Sequence, residues 1–163
     1  MYKQYLKVKP SKPGTGNGVF TTVQVPANVP VCQFRGNLLT KEEIDKSTDE
    51  VLEIGQDLYL GPSGGVDDVI NHSCNPNCYV HIVGRRAVLY SLYVILSDTE
   101  ITFDYSLNST DKLDEWQMEC KCKSHVCRGT ISGIQYLDPQ LVEDYKKKDI
   151  IPMFINKSQF KRL

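Results

Sequence analysis

The chain is 163 residues long, 40% hydrophobic and 24% charged, with a formal net charge of −1. That length suits one domain with a sizeable core and is short for two. The balance of charge argues against a broad basic surface for nonspecific nucleic-acid or membrane binding, and no apolar run is long enough to cross a bilayer. Met1-Tyr2-Lys3-Gln4 begins without the apolar core of an export signal, so an intracellular location is expected. The six cysteines could make three disulfides in a secreted chain; the Cys-x-Cys spacing at Cys120 and Cys122 favours a reducing compartment and metal binding.

In chain order, Tyr5 to Lys9 alternates and reads as a strand. Pro10 to Gly18 is a loop with two prolines and three glycines, and Val19 to Val23 reads as a second strand. Gly16 and Gly18 permit a tight hairpin turn or a close approach of backbone to a ligand. Val29 to Phe34 reads as a strand, Arg35-Gly36-Asn37 as a turn, and Thr40-Lys41-Glu42-Glu43 as a capping box before a short helix. Two strand-like clusters follow, Val51 to Ile54 and Leu58 to Leu60, parted by Gly55-Gln56-Asp57. Ala87 to Leu96 is apolar and rich in β-branched and aromatic residues, which predicts one or two strands. Ser97 to Glu100 is a turn into Ile101-Thr102-Phe103-Asp104-Tyr105, and Ser106 to Glu119 is a polar linker holding Trp116 and Met118. Asp138-Pro139 reads as N-cap and first residue of a helix ending near Lys147, where Lys146-Lys147-Lys148 suits the helix dipole. Ile150 to Phe154 is expected to pack back on the domain, ahead of a basic tail from Asn156.

The chain turns on Asn71-His72-Ser73-Cys74-Asn75-Pro76-Asn77-Cys78. Such a run of small polar residues with a proline ends regular structure and holds an irregular loop through side-chain bonds to its own backbone. It lies between the apolar segments Val69-Ile70 and Tyr79 to Val83, a placement that suits a site better than a linker. Downstream stand Cys120, Cys122 and Cys127; with Cys78 as the fourth ligand they would make a four-thiolate zinc site. Cys32 and Cys74 are then left as small buried residues, and His81 and His125 as strand or surface histidines.

Gly16-Asn17-Gly18-Val19-Phe20, the Asn71–Cys78 loop, Ile101 to Tyr105 and the Cys120/Cys122/Cys127 cluster followed by Arg128-Gly129 occur in that order. Together they resemble a SET-domain protein lysine methyltransferase with its post-SET zinc motif, over most of the chain. The resemblance implies a mostly-β SET fold of small, curved, β-clip-like sheets, threaded like a pseudoknot, with SET domain 1–118, zinc segment 119–135 and a C-terminal helix and tail 136–163. It implies S-adenosylmethionine held by Gly16, Asn17, Gly18, Asn71, His72 and Tyr105, with Ile131 over the adenine and Trp116 either beside the cofactor or anchoring the linker. It implies one structural zinc, and as partner a protein or peptide presenting a lysine, a histone being one possibility.

Methyl transfer from a sulfonium to an amine needs alignment, desolvation and a polar cradle. Tyr105 is the expected catalytic hydroxyl. Phe103 lies on the same strand face, and in the family a phenylalanine there leaves room for higher methylation states. Relatives often carry a channel tyrosine near Val51-Leu52, an arginine where Asp68 stands, and a glycine where Asp98 stands. Tyr59 either replaces the channel hydroxyl or is simply core. Two further classes remain open: a catalytically silent SET module that binds a peptide, and a purely structural zinc-binding protein.

Overall fold

A computed structural model describes residues 1–44, 51–110 and 116–155. The Asn156 tail and part of the linker after Thr110 lie outside these. Twelve short strands and one α-helix are arranged in four small sheets among the described residues. The strands are β1 (Leu6–Pro10), β2 (Asn17–Thr21), β3 (Pro30–Gln33), β4 (Leu38–Thr40), β5 (Leu52–Gly55), β6 (Leu58–Leu60), β7 (Asn71–His72), β8 (Cys78–Val83), β9 (Arg86–Ser91), β10 (Glu100–Phe103), β11 (Gln117–Glu119) and β12 (Thr130–Ser132). The helix α1 is Pro139–Lys147. The sheets run β1-β2-β10-β7, β3-β9-β8, β4-β6-β5 and β11-β12.

Strand alternation builds the main core. In β9, Ala87, Leu89 and Ser91 point inward while Arg86 faces solvent. Val19 and Ile101, paired across β2 and β10, are fully buried beside Val31, Cys32 and Leu89. Each large apolar side chain so buried contributes about 1.5–3 kcal/mol. The apolar run expected as strand to Leu96 stops pairing regularly at Ser91; beyond it only Val25 and Ile95 bridge, and Val94 and Leu96 are exposed.

Local chemistry sets the turns. Asp98 takes a left-handed φ of 60°, so this turn survives without glycine because an Asp side chain tolerates that region. Gly36 is at φ 133°, and a Cβ there would meet the Gly61 carbonyl oxygen at 2.0 Å; the turn after β3 presses against the end of β6. The capping box closes as expected on a single 3₁₀ turn, with the Thr40 N–H donating to Glu43 Oε2 at 2.8 Å. Asp138 caps α1, accepting from the Gln140 N–H at 2.7 Å. The helix buries Val142 and Tyr145 in a second cluster with Leu107, Ile134, Leu137, Ile150 and Ile155.

One pairing was not expected. Asn71-His72, read from sequence as loop, forms β7, parallel to β10, with His72 opposite Phe103. This carries the polar loop to the end of the Phe103-Asp104-Tyr105 segment. Among the described residues no helix is long and apolar enough to cross a membrane.

Candidate functional site

The loop after β1 and the strand β7 meet at the Asn71 amide. Its Nδ2 donates to the Asn17 carbonyl at 2.9 Å and to Glu100 Oε1 at 2.8 Å. Ser11 Oγ donates to the same carboxylate oxygen at 2.7 Å. With both amide hydrogens engaged, Oδ1 is the atom Asn71 can offer to a ligand. Gly18 leaves room for this pair: a Cβ there would lie 2.1 Å from Glu100 Oε1 and 2.9 Å from Asn71 Nδ2, so both side chains would have to shift. Asn77 fastens the far side of the loop, donating to the Glu100 carbonyl at 2.7 Å and accepting from the Thr102 N–H at 2.9 Å.

Tyr105 opens a 3₁₀ turn, Tyr105–Asn108. Its hydroxyl donates to the Ile70 carbonyl at 2.7 Å, which leaves the phenolic oxygen able to accept. Its ring packs on His72, centroids 5.4 Å apart, and on Phe103 at 4.8 Å. Phe103 in turn meets Phe34 edge-on at 5.6 Å. Phe34 escaped the sequence reading because its approach to Phe103 joins two sheets.

The Tyr105 N–H donates to His72 Nδ1 at 3.2 Å, and His72 Nε2 lies 3.2 Å from Cys74 Sγ. An Nδ1 that accepts places the proton of a neutral ring on Nε2, which then donates to the sulfur. Burial keeps the ring neutral, holding its pKa near about 4 against the opposing pull of Asp104. Asp104 Oδ1, 3.4 Å from Nδ1, is therefore not an ion-pair partner of this ring.

The sulfurs of Cys74, Cys120 and Cys122 and a nitrogen of His72 lie within 4.8 Å of one another. Cys74 and Cys120 are 3.6 Å apart, close to the edge of about 3.8 Å in a tetrahedron with ~2.3 Å zinc–sulfur bonds. The Cys127 thiol reaches those of Cys120 and Cys122. Backbone N–H groups of Arg128 and Gly129 point at Cys74 and Cys127 at 3.4 and 3.5 Å, as donors to thiolates would. Four converging thiolates, Cys74, Cys120, Cys122 and Cys127, are a donor set that could hold zinc.

The expected fourth ligand, Cys78, is not among them. As the first residue of β8 it alternates inward with Val80, is fully buried in the main core near Cys32, and has its pKa raised by that burial. Cys74 is correspondingly no spare core cysteine. Spacing could not separate the two, because both precede Cys120 at lengths a loop can span. His81 and His125 are exposed, as expected.

Ile131 is buried against the sulfur cluster, and Trp116 and Tyr105 pack on the same group. Apart from the approach of Oδ1 to the His72 ring, Asp104 serves the structure. Its carboxylate accepts from Arg128 Nη1 and Nη2 at 2.8 and 2.7 Å, from the Tyr145 hydroxyl at 2.8 Å and from the Ser106 N–H at 3.0 Å. It thereby ties the zinc segment and α1 to the segment that carries Tyr105. Asp68, where relatives often have arginine, accepts from the N–H groups of Ser63 and Gly64 at 2.8 and 2.6 Å and closes that loop. Tyr59, on β6, makes no ring contact with Tyr105 or Phe103 among the described residues. Its hydroxyl is buried without a hydrogen-bond partner, and burial beside Glu53 and Asp57 pushes its pKa up to about 12.

Comparison with known proteins gives a consistent picture. The family described as SET domain matches residues 16–106, more than half of the chain. A Cryptococcus neoformans "Histone-lysine N-methyltransferase, H3 lysine-36 specific" is 27% identical over 145 residues, covering 79% of this chain and 17% of that protein. The Homo sapiens "Histone-lysine N-methyltransferase SETD1B" is 39% identical over 67 residues, 39% of this chain and 3% of that protein. The chain thus spans only a small part of these relatives. The crystal structure of KRYPTONITE in complex with mCHH DNA, H3(1-15) peptide and SAH superposes with a TM-score of 0.64 at 25% identity, covering 77% of this chain and 29% of that one.

Proposed function

This chain belongs to the SET-domain family, and on that premise we propose that it is a protein-lysine N-methyltransferase that uses S-adenosylmethionine. The observation that carries the reading is Tyr105: a hydroxyl anchored on the Ile70 carbonyl, with its ring clamped by His72 and Phe103, just after β10, the strand that pairs with both the Asn71–His72 strand and the glycine-bearing β2.

The cradle fits the cofactor's polar end. Asn71 Oδ1 is placed to accept from an α-amino group, Gly16, Asn17 and Gly18 bring backbone alongside, and β7 offers the backbone of His72 for the adenine. Ile131 and Trp116 supply apolar cover from the zinc segment. When bound, the cofactor supplies an activated methyl group. The chain's part is to desolvate and align the incoming lysine between Phe34, Phe103 and Tyr105. There the Tyr105 oxygen can accept an N–H of the amine or a polarised C–H. The sulfur–methyl bond breaks as the nitrogen–methyl bond forms, and the amine's proton departs to solvent. Cys74, Cys120, Cys122 and Cys127 would hold a zinc ion whose part would be structural, keeping the segment that carries Ile131 packed beside Tyr105.

A peptide presenting a lysine, from a histone or another protein, is the substrate class this supports. The named relatives are histone-lysine methyltransferases, and the KRYPTONITE structure holds an H3 peptide and SAH. Titration calorimetry with S-adenosylmethionine tests the reading at its base. Saturable 1:1 binding, weakened by Asn71→Ala, is expected; a zinc-loaded, folded protein that takes up no cofactor would leave a silent peptide-binding module instead.

A further inference from the structure

The balanced net charge hides a local excess. The sheet β3-β9-β8 turns one face into the core and the other to solvent. Its ladder pairs Gln33 with Val88, and one step on the Phe34 N–H donates to the Ala87 carbonyl at 3.0 Å. Phe34 and Ala87 are buried, so alternation leaves Arg35 and Arg86, the residues next to them, exposed at the same end of the sheet. On the other side of β9, Arg86 is paired with Val83 across the two-residue turn Gly84-Arg85. Gly84 supplies the positive φ, 60°, that so short a hairpin turn needs, and Arg85 is exposed at the tip. Residues 35 and 85–86, far apart in sequence, thus share one corner of the fold.

Like charges on neighbouring strands destabilise a sheet. Among the described residues no carboxylate relieves these three: Arg35, Arg85 and Arg86 make no ion pair. Asp67, whose Oδ2 accepts from the Arg35 N–H at 2.8 Å, is 3% exposed and has Lys3 Nζ 4.0 Å from Oδ1, so its charge is met internally. A cluster that costs stability and is held on strands and a tight turn calls for an anionic partner. Guanidinium forks match phosphate. Duplex DNA carries one charge per about 1.7 Å of its axis, and such a row meets cations spread over two strands and a turn better than a single acidic side chain does. Farther along the outer face, Tyr90 packs on Tyr79 and His81 with ring centroids 5.9 and 5.7 Å apart. Both tyrosines are half-buried, a poor platform for unstacked bases, which favours a duplex over a single strand.

We propose that Arg35, Arg85 and Arg86 form a docking surface for the phosphate backbone of double-stranded DNA. Arg35 adjoins Phe34, whose ring meets Phe103 from the inner side, so the surface is the outer side of a sheet that backs the ring stack. It stands whether or not the chain transfers methyl groups.

The test is fluorescence anisotropy of a short labelled DNA duplex of random sequence with the zinc-loaded chain, repeated across salt concentrations. Three phosphate contacts predict a slope of log affinity against log salt of about −2.7. Arg35→Gln, Arg85→Gln and Arg86→Gln should each make the slope shallower by about 1, and the triple variant should bind about tenfold more weakly or worse. Thermal melting should show the triple variant at least as stable as wild type, because the repulsion is gone. Lys146→Gln with Lys147→Gln on α1, whose lysines are paired with Glu143 and Asp144, should leave binding unchanged. No salt-dependent binding by wild type, or equal binding by the folded triple variant, overturns the proposal. Loss of binding in the α1 variant overturns it by moving the surface to the helix. Tighter binding of a single strand, or of a polyglutamate peptide, overturns it by assigning the arginines to unpaired nucleic acid or to an acidic protein.

Discussion

Arg128→Met isolates what holds the zinc segment and α1 against the Tyr105 segment. The Asp104 carboxylate is completely buried and Arg128 is only 18% exposed, with two charge-assisted bonds of 2.7 and 2.8 Å between them. Methionine fills much of the same volume but abandons the carboxylate to the Tyr145 hydroxyl and the Ser106 N–H. Removing one partner of a buried pair costs about 3–5 kcal/mol, because the remaining charge stays desolvated. For a domain stable by about 5–15 kcal/mol that is a large fraction. Urea denaturation of the zinc-loaded protein should therefore show a midpoint lowered by at least about 1 M, given a slope of ~1–3 kcal/mol/M. Adding Asp104→Leu to Arg128→Met should recover much of the loss, since the orphaned charge is then gone. A loss below about 1 kcal/mol for Arg128→Met would refute the reasoning and class the pair with exposed ion pairs.

Cys74→Ser should abolish stoichiometric zinc in metal analysis, whereas Cys78→Ser should keep it and lose only core packing; the reverse result would restore the assignment made from spacing. Chelation of wild type should release the β11–β12 segment, read as new protease sensitivity around residues 117–132, while cofactor-free β1–β10 stays resistant. Gly18→Ala should weaken S-adenosylmethionine binding by about tenfold or more in calorimetry, because its Cβ displaces Glu100 and with it Asn71. Gly36→Ala combines a positive φ with a clash against the Gly61 carbonyl and should cost about 2–3 kcal/mol in thermal or chemical unfolding.

Much of the site could be read before the structure because it is written in local signals. The glycines at the start of β2 announce a close approach, Asp138-Pro139 announces a helix, and Ile101 to Tyr105 announces a strand, which ends at Phe103 with the tyrosine opening the turn beyond it. Asp98 kept its turn for a reason visible in its own side chain. What could not be read depends on pairing across the chain. Cys74 and Cys78 are equivalent on paper; only the alternation of β8, fixed by its pairing with β9, turns Cys78 into the core, while Cys74 joins the cluster that could hold a metal. Phe34 meets Phe103 only because separate sheets converge. Glu100 looked like a turn residue, yet it organises Ser11 and Asn71, which come from separate parts of the chain. The Arg128–Asp104–Tyr145 junction joins three segments for which no local pattern exists.

The central claim is tested most directly by comparing wild type with Tyr105→Phe in transfer of labelled methyl from S-adenosylmethionine to lysine in protein. The account predicts label on lysine with wild type and a loss of at least about 100-fold with the variant, the scale of removing an oriented polar group from a reacting centre, with zinc content unchanged and the cofactor still bound at the concentration of the assay. Equal label from both proteins, or label on a residue other than lysine, would contradict it.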